Sequence, residues 1–203
     1  RLKRTRSFLI KRREAPYRAR YPAIIAIADY VIGQIQPKAR RKAHLIHNPI
    51  QDRFFDGSNC AGDSPPTVLQ VGVLIPRKNA LASIEAIGQL HQRGVQCRLR
   101  LAGPAKDPLY TQTLHDAVQR LGIENHVDFL GAISQSQVAE ELQNTRVLIL
   151  PSYQETAPMT ISEASAMGIP CVVSAAGGSA PVISAAIYAV WSTSTPMLTT
   201  SSQ

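Results

Sequence analysis

Short continuous runs of apolar residues alternate along this chain with longer stretches in which apolar positions recur every three or four residues. Runs of the first kind read as buried strands, and stretches of the second as helices with one face on a core. Residues 23–28 are such a run, followed by a short helix from Asp29 towards Gln36. After a polar loop broken by Ser64-Pro65-Pro66, residues 68–72 form the next strand. The helix behind it takes Asn79 as its cap, sets Leu81, Ile84, Ile87 and Leu90 on one face, and has Gly94 past its end. Residues 97–101 and 126–130 read as strands, with a helix over 109–121, stopped by Gly122, between them. Ser134 and Gln137 make a capping box for a helix through Leu142. Residues 146–150 and 170–174 are further strands, joined by a helix that opens at Pro158 and closes at Gly168. The alternation predicts an α/β fold, a Rossmann-like parallel sheet with helices on both faces. Ligands of such sheets bind beyond the carboxyl ends of the strands.

Composition narrows the class. The chain has 203 residues, 44% hydrophobic and 18% charged, in the range of globular proteins, and its longest apolar run is far too short to span a bilayer. Cys60, Cys97 and Cys171 are odd in number and lack the Cys-x-x-Cys spacing, which argues against a disulfide framework and a zinc site. A reducing, cytoplasmic compartment follows as the expectation. The net charge of +8 is uneven: residues 1–42 hold thirteen Lys or Arg against Glu14 and Asp29. The remaining residues hold nine against twelve acidic ones, so a basic arm precedes a slightly acidic domain. The arm lacks interleaved aromatics and any helix-turn-helix or zinc-finger spacing, so nucleic acid is not the expected partner. An anionic membrane surface, met peripherally, is the candidate partner for it.

The chemistry concentrates between Pro151 and Gly168. Glu155 lies ahead of the helix start and Glu163 one turn inside it. With Pro158 at the first helical position, the amides of Met159 and Thr160 are donors without partners at a positive helix end, which suits an anion. Carboxylates beside an anion site accept hydrogen bonds from hydroxyls, such as those of a sugar. Acidic residues in a first turn also serve simply to complement the dipole. The order of surrounding elements favours the functional reading: Pro170 and a short strand follow, and then Gly177-Gly178.

These residues resemble the retaining family-4 glycosyltransferases. The pattern covers Pro151, Ser152, Glu155, Glu163, Ala164, Gly168, Pro170, Gly177 and Gly178, and extends upstream to Val71-Gly72 and Pro76-Arg77-Lys78-Asn79. It continues through Leu101-Ala102-Gly103-Pro104 and the run from Val127 to Gly131. The resemblance implies the C-terminal, donor-binding half of a two-domain GT-B fold. It divides the chain into residues 1–42, a remnant of the acceptor domain and linker; 43–183, the donor domain; and 184–203, an irregular tail. The tail is rich in Ser, Thr and Ala without helical period, so the chain reads as a truncated product, inactive in isolation.

The resemblance also implies roles. A nucleotide-diphosphate sugar would place its ribose on Glu163, its diphosphate on Lys78 and the amides of Met159 and Thr160, and its sugar near Glu155. Gly72 would let the ligand approach bare backbone, and the turn at Gly131-Ala132-Ile133 would lie against the base, with Ile133 in contact. The acceptor would be a glycan or a lipid-linked sugar. Where the family often carries Arg after that glycine this chain has Val73, and Arg77 is the candidate substitute. No Asp-x-Asp occurs, so no metal or other cofactor is expected. His44, His47, His91, His115 and His126 lack metal-ligand spacing and read as structural. Two other readings stand beside retaining transfer: a non-catalytic nucleotide-binding remnant, and a related epimerase or phosphorylase.

Overall fold

The computed structural model describes residues 20–55, 65–176 and the strand Tyr188–Trp191. Two compact units divide at Pro49 and Ile50. In the first, strands β1 (Ile24–Ala26) and β2 (Ala43–Leu45) pair in parallel, with Ile24 opposite Ala43. Helices α1 (Asp29–Gln34) and α2 (Pro37–Arg40) connect them, and Arg40 donates to the carbonyls of Gly33 and Ile35. The expected boundary at residues 42 and 43 therefore moves: β2 completes a strand pair with β1 and belongs to the first unit.

The second unit is built on a six-stranded sheet. Its strands are β3 (Thr67–Val71), β4 (Arg98–Ala102), β5 (Val127–Gly131), β6 (Val147–Leu150), β7 (Cys171–Ser174) and β8 (Tyr188–Trp191). All neighbours are parallel, in the order β5-β4-β3-β6-β7-β8. The connecting helices are α3 (Ala80–Gln92), α4 (Pro108–Leu121), α5 (Gln135–Gln143) and α6 (Met159–Ala166). Because side chains alternate along each strand, the sheet buries two apolar layers. Leu99 and Leu101 meet Ile84 and Ile87 of α3 and Leu114 and Val118 of α4 in one layer. Leu69, Leu148 and Leu150 meet Leu142 of α5 and Ile161 of α6 in the other, with Phe54 closing it from the turn Asp52–Phe54. Each such fully buried side chain contributes about 1.5–3 kcal/mol.

Local signals explain the helix ends. Asp107 accepts from the Tyr110 amide and Pro108 follows at the first helical position of α4, which ends at Gly122 with φ +65°. Ser134 and Gln137 form the expected capping box of α5. Helices α3 and α4 pack closely because Gly88 has no side chain. A Cβ there would stand 3.0 Å from Leu121 Cδ1.

Two expectations change. Asn79 occupies the cap position of α3 but adopts φ +52° and makes no side-chain cap bond; its amide is used elsewhere. Tyr188–Trp191, in the stretch expected to be irregular, pairs with β7 from Cys171↔Tyr188 to Ser174↔Trp191. The Ser/Thr/Ala composition hid a short aromatic and β-branched run, which suits an edge strand. Residues 57–64, Gly177-Gly178 and most of the basic arm lie outside the described residues. Among the described residues, no helix is long and apolar enough to cross a membrane.

Candidate active site at the sheet's switch point

From β3 the chain winds towards β4, whereas from β6 it winds towards β7 on the opposite side. The connections leaving these two adjacent strands diverge, and such a crevice is where open α/β sheets bind ligands. Its floor is bare backbone. Gly72 donates to the Ala102 carbonyl at 2.8 Å and Gly103 to the Gly131 carbonyl at 2.7 Å. A Cβ on Gly103 would stand 1.9 Å from the Gly72 oxygen, so no other residue fits without moving the strand ends.

Two loops face each other across this crevice, and four contacts tie them. Lys78 Nζ donates to Glu155 Oε1 at 2.7 Å, with the two side chains only 17% and 6% exposed. Asn79 Nδ2 donates to the Pro151 carbonyl at 3.2 Å, Arg77 Nη1 to the Gln154 carbonyl at 2.8 Å, and the Tyr153 amide to the Arg77 carbonyl at 2.9 Å. The turn Pro76–Lys78 sets Lys78 back over Gly72: a Cβ on Gly72 would lie 3.4 Å from Lys78 Cε.

Helices α3 and α6 begin beside this crevice, and the structure distinguishes them. The Tyr110 hydroxyl accepts from the Leu81 amide at 3.2 Å and so occupies the first turn of α3. Burial raises the Tyr110 pKa above its ordinary value. Among the described residues, helix α6 has no such plug. It begins at Met159, with Pro158 at the cap (φ −72°, ψ 101°) and not at the first helical position as expected, because that ψ is still extended. The Ile161 amide donates to the Pro158 carbonyl at 3.2 Å. Those of Met159 and Thr160 make no hydrogen bond among the described residues, which leaves the positive end of α6 open to an anion.

Glu163 lies one turn further in, 4% exposed, and its carboxyl pKa is raised by burial. No hydrogen bond satisfies it among the described residues. Ser174 at the end of β7 donates to the Ser152 carbonyl, which joins a third strand end to the loop carrying Glu155.

Residues 52–195, well over half of the chain, match the family of glycosyl transferases group 1. The chain belongs to that family. Over 145 residues it is 30% identical to D-inositol 3-phosphate glycosyltransferase 2 of Catenulispora acidiphila, covering 65% of this chain and 34% of that one. It is also 30% identical, over 153 residues, to mannosylfructose-phosphate synthase of Agrobacterium fabrum, covering 68% and 34%. HepE of Anabaena, solved in complex with UDP and glucose, shares the fold with a TM-score of 0.73 at 22% identity, over 84% of this chain and 49% of that one. The chain therefore spans about a third of the length of these two curated relatives.

Within this group 1 domain the expected site residues are not all equivalent. Gly72, Lys78, Glu155 and the start of α6 lie on the two facing loops and what directly adjoins them. Arg77 is exposed, and its Nη1 donates to the Gln154 carbonyl, so its guanidinium helps knit the two loops together. Ile133 is half-buried and, like Leu130 and Val71, packs against the core layer that holds Leu148 and Leu150, which leaves part of its side chain exposed. Three of the histidines have local partners: His91 Nε2 lies 2.8 Å from the Cys97 carbonyl and its ring meets that of His126 at a tilt of 60°, while His115 packs on Phe129. Sequence reasoning missed the tie of Asn79, the closeness of Gly103 to Gly72, and the plug supplied by Tyr110. Only the first left a local signal, an Asn able to adopt the left-handed conformation.

Proposed function

We propose that this domain binds a nucleoside-diphosphate sugar and serves a glycosyltransferase that transfers the sugar with retention and without a metal. The observation that carries the reading is the open start of α6, four residues after the glutamate that holds Lys78. A diphosphate entering there meets the amides of Met159 and Thr160 and draws Lys78 Nζ away from Glu155. The freed Glu155 then accepts from hydroxyls of the sugar, and Glu163, already desolvated, accepts from the ribose. As the bond from the anomeric carbon to the phosphate oxygen breaks, its electron pair passes to the diphosphate, whose growing charge Lys78 and the amides stabilise. The acceptor hydroxyl attacks on the face the diphosphate leaves, through an oxocarbenium-like state, and its proton passes to the departing diphosphate oxygen. Lys78 and helix amides can meet the leaving-group charge, and the sequence has no Asp-x-Asp, which supports the metal-independent form.

HepE was solved with UDP, which favours a nucleotide donor here as well. The acceptor we infer is a glycan or lipid-linked sugar, in keeping with a basic arm that would hold the protein at the cytoplasmic face of an anionic membrane. A second reading, a nucleotide-binding chain without turnover, is favoured by Val73 and by the engagement of Arg77 with the loop.

Calorimetry with UDP, GDP and ADP in EDTA tests the proposal. One nucleotide should bind without Mg2+, and Glu163→Ala should weaken it by ~1–3 kcal/mol as hydrogen bonds to a charged acceptor are lost. Binding that requires Mg2+, or is indifferent to Glu163→Ala, counts against the site.

A further inference from the structure

We infer that Gln70 and Ser83, both buried beneath the crevice, are positioning residues for Lys78. The inference rests on the donor-site reading above. Gln70 is 1% exposed in β3, and its strand neighbour two positions back, Val68, packs in the apolar layer under α3 and α4. An apolar side chain of the same length would fill that space. The amide instead brings a donor and an acceptor that must each be satisfied once buried. Both are: Ser83 Oγ, 0% exposed in α3, donates to Gln70 Oε1 at 2.7 Å, and Gln70 Nε2 donates to the Lys78 carbonyl at 3.0 Å.

The carbonyl that this relay holds belongs to the residue whose side chain reaches Glu155. The next residue, Asn79, in the left-handed conformation at φ +52°, ties the opposite side of the same short segment to Pro151. Lys78 is thereby fixed from below by the sheet and from the side by the facing loop. The turn does not need Gln70 to close, since the amides of Lys78 and Asn79 already donate to the carbonyls of Ile75 and Pro76. Stability is served about equally by an apolar pair of matching shape. What the relay adds is a set position for the backbone from which a flexible lysine reaches an anion, and a shift of about 1 Å there is costly.

The test uses the full 203-residue chain. The tightest-binding of UDP, GDP and ADP is compared with its own nucleoside in the wild type, Lys78→Met, Gln70→Met, Ser83→Ala and Ser83→Thr, with thermal melts to verify folding. Gln70→Met should reduce the preference for diphosphate over nucleoside about fivefold or more, on the scale of one lost hydrogen bond, and leave nucleoside affinity unchanged. Ser83→Ala should move the same way by less, and Ser83→Thr, which keeps the hydroxyl, should retain the preference. If Lys78→Met loses the preference while Gln70→Met, folded, keeps all of it, the inference is wrong and the donor site stands. Should Gln70→Met fail to fold, an unchanged preference in folded Ser83→Ala overturns it equally. If Lys78→Met itself keeps the preference, the donor-site reading fails and this inference falls with it.

Discussion

Lys78 and Glu155 are 77 residues apart in the chain, yet Lys78 Nζ lies 2.7 Å from Glu155 Oε1, with both side chains largely withdrawn from water. The pair neutralises a cation and an anion that donor binding would use separately. Pairing also prevents either from standing desolvated and alone, a state that costs several kcal/mol. In the proposed function the diphosphate exchanges for Glu155 on Lys78, so each group is released by the ligand that needs the other.

That exchange has a sign. Glu155→Gln removes the anion competing for Lys78, so a nucleoside diphosphate without sugar should bind the variant several-fold more tightly, the scale of about 1 kcal/mol. Lys78→Met should weaken the same ligand by about 1.5–3 kcal/mol, the range for a hydrogen bond to a charged group. Calorimetry on both variants checks this, and equal affinity in Glu155→Gln and wild type would show that the two do not compete.

Glu163 makes stability depend on pH. Burial raises its carboxyl pKa above the ordinary 4.5, so the folded state holds its proton over a pH range where the unfolded chain has lost it. Its contribution is most favourable below pH 4.5 and is lost as pH rises through the folded value. Glu163→Gln should therefore raise the melting temperature at pH 7, with the gain disappearing as pH falls below the ordinary carboxylate value. Donor affinity should fall in the same variant. Melting curves from pH 4 to 8 that run parallel for variant and wild type would contradict this account.

The two floor glycines should respond differently. In Gly103→Ala the new methyl meets fixed backbone, the Gly72 oxygen at 1.9 Å, at φ +148°. We expect a loss of more than about 2 kcal/mol in stability from overlap and backbone strain together. In Gly72→Ala the backbone strain is similar, at φ +152°, but the methyl meets only the flexible end of Lys78 at 3.4 Å, so a smaller stability loss should come with weakened diphosphate binding. Denaturant melts and calorimetry on the pair separate the two; equal destabilisation would refute the distinction.

If the basic arm of residues 1–42 meets anionic membrane, the protein should sediment with acidic but not neutral liposomes. Binding should fall steeply as salt increases, since each basic residue near such a surface contributes about 1 kcal/mol. Equal sedimentation with both liposomes would remove the membrane from the proposal.

The strands and helices of the second unit were legible because their signals are local. A run such as Val147–Leu150 has little choice but a buried strand, and Ser134 with Gln137 caps a helix by itself. The disagreements arise where a residue's partner is remote. Asn79 reads as a cap until its amide finds Pro151, and nothing near Arg77 in the sequence announces its bond to the Gln154 carbonyl. The edge strand Tyr188–Trp191 gains its hydrogen bonds from β7, a partner that its short aromatic and β-branched run does not identify.

The sequence by itself determined the α/β class, the parallel sheet and the candidate residues Gly72, Lys78, Glu155 and Glu163, since period, caps and motif spacing act over a few residues. Only the tertiary structure decided that Lys78 is paired with Glu155, that Tyr110 closes the start of α3 while that of α6 is open among the described residues, and that Gly103 must lie against Gly72. These are relations between strand ends and helix starts far apart in the chain. They come into being when the order β5-β4-β3-β6-β7-β8 brings β3 beside β6 and lets their loops diverge.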